Sequence, residues 1–225
     1  MFSSLTRAAR TAWGEFWEAR ATVLYVFALA VTTFTVQGAN PRLVYHLIVS
    51  ASTNVHNMAH HPVQVMISSA FWLQGGWPAW AQAGACVLLM VPAERWLGSL
   101  RWSAVFAAGH VGATLLTVTG IAWGLREGLL PSTVARTVDV GMSYGVAALI
   151  GVLTYRFPHV ALRLGWAACW LAYLVTDAVV GQTFTDYGHL FAILIGFVLY
   201  PVTLRGGRPI DPARGAAPRL RAPSG

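Results

Sequence analysis

The stretch RWSAVFAAGHVGATLLTVTGIAW, residues 101–123, decides the fold class of this chain. Its only charged side chain is Arg101, at the first position. A helix of about 20 mostly apolar residues crosses the roughly 30 Å hydrocarbon core of a bilayer. This stretch is therefore typical of a transmembrane helix.

The composition of the whole chain extends this conclusion. Of its 225 residues, 56% are hydrophobic and 10% are charged, whereas a soluble domain carries about 25% charged residues. Too few charges are present to cover a water-facing surface, so the sequence predicts an all-α, polytopic membrane protein. The basic residues are all arginines, which favours a bacterial source with a GC-rich genome. The net charge of +7 does not predict nucleic-acid binding, because the arginines lie between apolar stretches and in the tails.

The apolar stretches predict a six-helix bundle. The long loop 39–76 contains two shorter apolar stretches, 43–49 and 63–73, which we expect to be interfacial or re-entrant helices. No small-residue cleavage site follows the first span, so we interpret it as a retained anchor. The six predicted spans are about 21–38, 77–94, 101–123, 138–155, 160–180 and 185–204.

The spans define three regions of the chain. Residues 1–20 are predicted to be a cytoplasmic amphipathic segment, and residues 21–204 form the transmembrane domain. Residues 205–225 are rich in Pro, Gly and Arg, so we expect a disordered basic tail held on anionic lipid.

Arginine placement predicts the orientation of the bundle. Loops on the cytoplasmic side carry an excess of basic residues. With both termini cytoplasmic, the outer segments hold three arginines, at 42, 126 and 136, and the inner segments hold the other twelve. We therefore expect a multi-pass protein of the plasma membrane. The inner arginines are Arg7, Arg10, Arg20, Arg95, Arg101, Arg156, Arg163, Arg205, Arg208, Arg214, Arg219 and Arg221.

Several polar residues fall within or beside these spans. Asp139, Asp177 and Asp186 lie near outer span ends, where we expect them to reach interfacial water, and Glu94 lies at an inner end beside Arg95. His110 lies near mid-membrane. A lone buried histidine is more often a packed, hydrogen-bonded group than a ligand, and we expect this for His110.

Neither the histidine cluster nor the cysteines predict a metal site. His56, His60 and His61 share part of a helix face, but the sequence contains no HExxH motif and no carboxylate close to them. Cys86 and Cys169 both lie inside apolar runs, which argues against a disulfide framework. We predict no metal and no cofactor.

Ser143 and His189 stand out from the other polar residues. Each lies about one helical turn below the outer surface in its own span, so the two share a layer. Small residues continue the same helix faces, at 147 and 151 after the serine and at 192 and 196 after the histidine. Such stripes let two membrane helices approach closely. Facing stripes would bring a hydroxyl within reach of an imidazole, which is the usual base for a serine nucleophile.

Four stretches resemble the rhomboid family of intramembrane serine proteases, in particular its bacterial rhomboid-like branch. The resemblance covers about residues 21–204. It rests on SSAFWLQGGW (68–77) ending the long outer loop, ERWLGS (94–99) between spans 2 and 3, GMSYG (141–145) where rhomboids carry GxSG, and GHLFAILIG (188–196) where they carry the catalytic histidine.

The resemblance implies a function and a site. Rhomboids cleave substrate helices near the outer membrane face with a Ser–His dyad that has no acidic third member. It implies Ser143 as nucleophile, His189 as general base and Gly141 as the first glycine of the serine motif. The implied partners are the transmembrane helix of a single-span protein and membrane lipids.

The sequence departs from the rhomboid pattern at four positions. Tyr144 follows the serine in place of Gly, and Ala147 replaces the aromatic residue that packs on the histidine, a surface that Tyr144 or Tyr187 can supply. Rhomboids carry His-x-x-x-Asn on span 2 to help bind the oxyanion, and here those positions are Pro78 and Gln82. Loss of one oxyanion donor costs about 10²–10³ in rate. Gln82 can still donate, so weak activity is compatible with the sequence.

Three functional classes remain open from sequence alone. The first is an intramembrane protease. The second is a pseudoprotease that binds transmembrane helices without cutting them. The third covers transporters and other membrane enzymes, but a transporter usually needs midplane polar groups and an internal repeat, and the sequence shows no repeat.

The arginine bias makes a direct prediction. Topology reporters fused after residue 130 should lie outside the cell, and reporters fused after residue 158 should lie inside. The opposite result would remove both the orientation and the shared outer layer of Ser143 and His189.

Overall fold

The computed structural model describes Gly14 and residues 17–36, 38–73 and 77–215, without the side chains of residues 77–79. These ranges are mostly helical. The α-helices are α1 Arg20–Thr35, α2 Pro41–Ala51, α3 Val55–His60, α4 Pro62–Ser68, α5 Trp77–Leu97, α6 Ser99–Arg126, α7 Ser143–Leu153, α8 Val160–Gly181 and α9 Phe184–Val198. Short 3₁₀ turns occupy Ser69–Phe71, Ser132–Arg136, Thr154–Arg156 and Tyr200–Thr203, and a two-stranded antiparallel hairpin pairs β1 Leu204–Arg205 with β2 Arg208–Pro209.

Two of the described helices, α6 and α8, are long and apolar enough to cross a membrane. The helices α1 and α9 are apolar but shorter, and so is the segment 62–71 in the loop. Large apolar side chains are exposed on the helix surfaces, including Leu88, Leu100 and Val180. In a bilayer, side chains of this kind face lipid.

The fourth predicted span is shorter than the sequence indicated. We expected a span over about 138–155, but α7 begins at Ser143 and ends at Leu153, and residues 137–142 are not helical. Every residue of α7 from Tyr144 to Leu153 is buried. A helix enclosed by protein is not required to cover the bilayer thickness, and non-helical backbone is tolerated where protein buries it.

The centre of the fold is the packing of α6, α7 and α9 around one another. Glycines allow this packing. A methyl group on Gly151 of α7 would lie 2.5 Å from the Ile193 carbonyl oxygen of α9, and one on Gly196 would overlap the Ala148 carbonyl oxygen. Ala147 and Ala192 share a buried cluster between the same helices. The two small-residue stripes therefore face each other.

The loop between α1 and α5 forms helices in both predicted apolar stretches and is tied to the bundle by hydrogen bonds. The backbone N–H of Gly141 donates to the Ser69 carbonyl oxygen at 2.9 Å, and that of Thr53 donates to the Asp139 carbonyl oxygen at 3.1 Å. The side chain of Thr32 on α1 donates to the carbonyl of Phe71. The loop therefore holds the segment that leads into Ser143.

Glu94 is buried, contrary to the prediction from sequence. We expected it at the membrane interface, but its side chain is 0% exposed. Its carboxylate accepts hydrogen bonds from the backbone N–H groups of Ala21 (2.8 Å) and Thr22 (2.6 Å) and from the Ser99 hydroxyl (2.6 Å). A carboxylate at a helix N-terminus satisfies orphan N–H groups and complements the helix dipole. Glu94 therefore caps α1.

The C-terminal region also differs from expectation. Disorder was predicted from residue 205, yet residues 204–215 pack beneath the bundle. Ile210 is buried, its carbonyl oxygen accepts from Trp96 Nε1 at 3.5 Å, and the Pro212 carbonyl oxygen accepts from Arg156 Nε at 3.3 Å. Residues 216–225, and most of the predicted amphipathic segment 1–20, lie outside the described residues.

The glycine contact yields a stability prediction. Gly196→Ala should destabilise the fold by about 1–3 kcal/mol, because the added methyl meets backbone and forces α7 and α9 apart. Gly165→Ala is the matched control, since nothing lies within 4 Å of a methyl group at that position of α8. Thermal unfolding in detergent compares the two variants. Equal midpoints would contradict the role of this contact.

Candidate functional site

Ser143, His189 and Gln82 line one cavity of about 460 Å³. The cavity lies between α5 and α8, with α7 beneath it, and most of its lining is apolar. Gln82 comes from α5, Ser143 is the first residue of α7, and His189 lies in the second turn of α9. The structure thus brings together the two residues of the predicted dyad and the predicted oxyanion donor.

The geometry of the dyad is looser than a direct contact. Among the described residues, no hydrogen bond joins the Ser143 hydroxyl to the His189 imidazole. Both side chains are half-buried on the same cavity. We predicted a separation within or just beyond hydrogen-bond reach, and this distance stays a prediction. Catalytic hydrogen bonds are often long until substrate binds.

The Tyr144 side chain does not line this cavity, although the residue directly follows the serine. Its side chain is 3% exposed and fills the space above Gly188 of α9. Its ring meets that of His189 edge-on, with the ring centroids 5.3 Å apart and the planes at 80°. Tyr144 therefore supplies the aromatic surface on the histidine, one of the two candidates left open by the sequence.

Asp139 links three elements by hydrogen bonds. We expected its carboxylate to reach interfacial water, and this prediction was wrong. Its carboxylate accepts hydrogen bonds from the hydroxyls of Tyr144 (3.1 Å), Thr53 (3.2 Å) and Thr185 (3.3 Å). The residue lies in the loop before α7, outside the helices, and burial raises the pKa of its carboxyl while these hydrogen bonds act in the opposite direction. Asp139 fixes the Tyr144 ring, and through it the surface on which His189 packs.

Gly141 and the first turn of α7 set the backbone around the serine. Gly141 has a φ of +138°, which a side chain would disfavour, and its N–H is already bonded to Ser69. The first hydrogen bond that closes a turn of α7 runs from the Val146 N–H to the Met142 carbonyl oxygen at 3.1 Å. The amides of residues 143–145 precede it, so they lack intrahelical partners. Free amides of this kind can stabilise an anion beside Ser143.

His110 is a packed residue, as predicted. Its Nε2 lies 3.0 Å from the Met66 carbonyl oxygen and 3.1 Å from Ser69 Oγ. A carbonyl oxygen only accepts, so Nε2 carries the proton and donates. The imidazole therefore joins α6 to the loop between α1 and α5. The centroid of its ring lies 6.3 Å from that of the Tyr144 ring.

Two carboxylates near His189 complete the site. Asp177 of α8 lines the same cavity, and Asp186 lies three residues before His189 on α9. One ligand atom from each of the three side chains lies within 4.8 Å of the others. The i, i+3 spacing on one helix explains the approach of Asp186 to His189. Asp177 has no such local signal, because its approach depends on how α8 turns into α9.

One expected feature lies outside this description. Pro78, which stands where rhomboids carry a histidine, has a side chain outside the described residues. Gln82 is therefore the candidate oxyanion donor on α5 whose side chain the structure describes.

The packing of Tyr144 yields a stability prediction. Tyr144→Gly should destabilise the protein by about 3–5 kcal/mol, because it leaves a cavity against Gly188 and removes a buried hydrogen bond. Tyr144→Phe keeps the ring and should cost about 1 kcal/mol. Thermal unfolding measures both. Destabilisation of the two variants by the same amount would contradict the packing role of the ring.

The comparisons with known proteins agree with this architecture at the level of the family. The family model described as rhomboid-like protein matches residues 16–209, which is most of the chain and includes every site residue named above. Searches of curated proteins and of solved structures returned no match. The chain belongs to the rhomboid-like protein family.

Proposed function

We propose that this rhomboid-like protein is an intramembrane serine protease that cleaves single-span membrane proteins near the outer face of the plasma membrane. The observation that carries the proposal is the shared cavity of Ser143, His189 and Gln82. A bundle that used its small-residue stripes only for packing would not need a hydroxyl, an imidazole and an amide on one cavity wall.

The proposed chemistry follows from the roles of these groups. His189 takes the proton of the Ser143 hydroxyl as its oxygen attacks the substrate carbonyl carbon. The resulting oxyanion is stabilised by the Gln82 amide and by the free N–H groups at the start of α7. His189 then gives the proton to the leaving amine as the C–N bond breaks. In the second half, His189 takes a proton from water as the water oxygen attacks the acyl-enzyme carbonyl, and it returns that proton to the Ser143 oxygen as the ester bond breaks.

The surroundings of the cavity support entry of a substrate from the lipid. Apolar side chains of α5 and α8 line it, including Cys86, Leu89 and Leu174. Only Leu174 and Ala178 of α8 are buried, so α8 is held against the bundle by a narrow contact. A transmembrane helix that unwinds at one end can present its backbone between α5 and α8 to Ser143. We further propose six spans with both termini cytoplasmic, on the basis of the arginine distribution.

A second candidate function is supported by different observations. Ser143 and His189 share no hydrogen bond within the described ranges, and the Gly141 N–H is committed to Ser69. Pro78 replaces one of the two side-chain oxyanion donors of rhomboids. These features favour a pseudoprotease that binds transmembrane helices in the same cavity. The location of Gln82 on the cavity wall supports the protease over the pseudoprotease, because its amide can donate to an oxyanion there.

Labelling with a fluorophosphonate tests the nucleophile. Wild-type protein in detergent should be labelled at Ser143, and Ser143→Ala should abolish the label. His189→Gln should slow labelling by about 10³-fold or more, because the hydroxyl then lacks its base. Ser103→Ala removes an exposed serine of α6 away from the cavity and should leave labelling unchanged.

Proteoliposomes with a panel of single-span helices separate the two functions. Cleavage that requires Ser143 supports the protease. Specific crosslinking of a helix to α5 or α8 without cleavage or labelling, in protein with a cooperative unfolding transition, would establish the pseudoprotease instead.

A further inference from the structure

The imidazole of His189 faces two carboxylates from two different elements. Asp177 comes from the last turns of α8, and Asp186 comes from the first turn of α9. Their ligand atoms lie within 4.8 Å of one another and of the imidazole. Both carboxylates also act electrostatically on His189.

Neither carboxylate has another cation within the part of the chain that the structure describes. Asp186 uses one oxygen to accept the Thr183 N–H at 2.9 Å in a capping box. Asp177 lies on a largely apolar cavity and has no hydrogen-bond donor among the described residues. A half-buried carboxylate on an apolar wall is stabilised by a positive group close by. The nearest group that can become positive is His189.

We propose, on the basis of the protease function above, that Asp177 and Asp186 are acidic members of this site. They stabilise the imidazolium that forms when His189 takes the Ser143 proton. The site would then differ from the rhomboid dyad, which has no acidic member. Asp186 also caps α9, so substitution of Asp177 removes a charge without a change at the start of that helix.

The other groups around His189 do not replace this interaction. The Tyr144 ring meets the imidazole by its edge, and its hydroxyl donates to Asp139 instead. Asp139 is in turn bonded to Thr53 and Thr185. Gln82 and Ser143 are uncharged. Removal of either carboxylate charge should therefore destabilise the imidazolium, and only the other carboxylate remains to offset the loss.

Nuclear magnetic resonance of ring-labelled histidine tests the proposal without any need for activity. The His189 signal is assigned by its loss in His189→Gln. In Asp177→Asn the midpoint of its titration should move about one pH unit lower, since a carboxylate 4–6 Å away favours the protonated ring. Asp186→Asn keeps an oxygen for the Thr183 N–H and should cause a shift of similar size in the same direction. Glu127→Gln, an exposed charge at the end of α6, should cause none. An unchanged midpoint in both aspartate variants would overturn the proposal.

The pH profile of fluorophosphonate labelling provides the catalytic readout. In Asp177→Asn the plateau rate should fall about 10-fold or more. The acidic limb of the profile should move to lower pH, because a less basic His189 stays neutral there. A lower plateau with an unmoved limb would indicate only a structural role and would overturn the proposal. If wild-type protein is not labelled at all, the proposed protease function is wrong. The His189 titration then tests by itself whether the two carboxylates stabilise the imidazolium.

Metal binding is the competing use of these three side chains. Addition of EDTA to protein as purified should leave the His189 signal unchanged. A change on chelation that is reversed by Zn²⁺ and lost in Asp177→Asn would show a metal site and would overturn the acidic role.

Discussion

The backbone contact between α7 and α9 is the constraint on which the rest of the structure depends. Gly151 and Gly196 let the two helices approach until the backbone of one occupies the space that a Cβ atom on the other would need. Without a hydrophobic driving force between helices in lipid, close packing of this kind supplies much of the association energy. The same contact determines the distance between Ser143 and His189, which lie in the N-terminal turns of the two helices.

Burial of α7 creates a second requirement, because the loop that leads into it carries polar backbone below the surface. The outer loop and Asp139 meet that requirement with hydrogen bonds to Ser69, Thr53 and Tyr144. At the other end of the bundle, Glu94 does the same for the first turn of α1. These polar groups are buried because each has partners, and buried polar groups without partners are rare.

The sequence predicted the parts of the fold that depend on local pattern. Apolar length gave the helical class, and the i, i+4 spacing of small residues identified the faces at Gly151 and Gly196. The extent of α7, the depth of Glu94 and the network of Asp139 were missed, because each depends on neighbours that are distant in the chain. A carboxylate at 94 has the same local context whether it faces water or caps a helix.

The candidate site divides in the same way. Ser143, His189 and Gln82 were predicted from layer and motif, and all three line one cavity. Two features follow from tertiary packing and could not be predicted. These are the packing of the Tyr144 ring against Gly188 and the approach of Asp177 to His189. The departure at Tyr144 gains a physical reason, since the ring replaces the aromatic residue absent at Ala147.

A single distance tests the central claim that the α7–α9 contact brings a nucleophile and its base together. Solid-state magnetic resonance in bilayers can measure it between Ser143 Cβ and the ring nitrogens of His189. We expect a nearest approach of about 5 Å or less between these atoms, which corresponds to an oxygen–nitrogen separation near hydrogen-bond reach. A nearest approach beyond roughly 8 Å, in protein that keeps the Gly151–Gly196 contact, would contradict it.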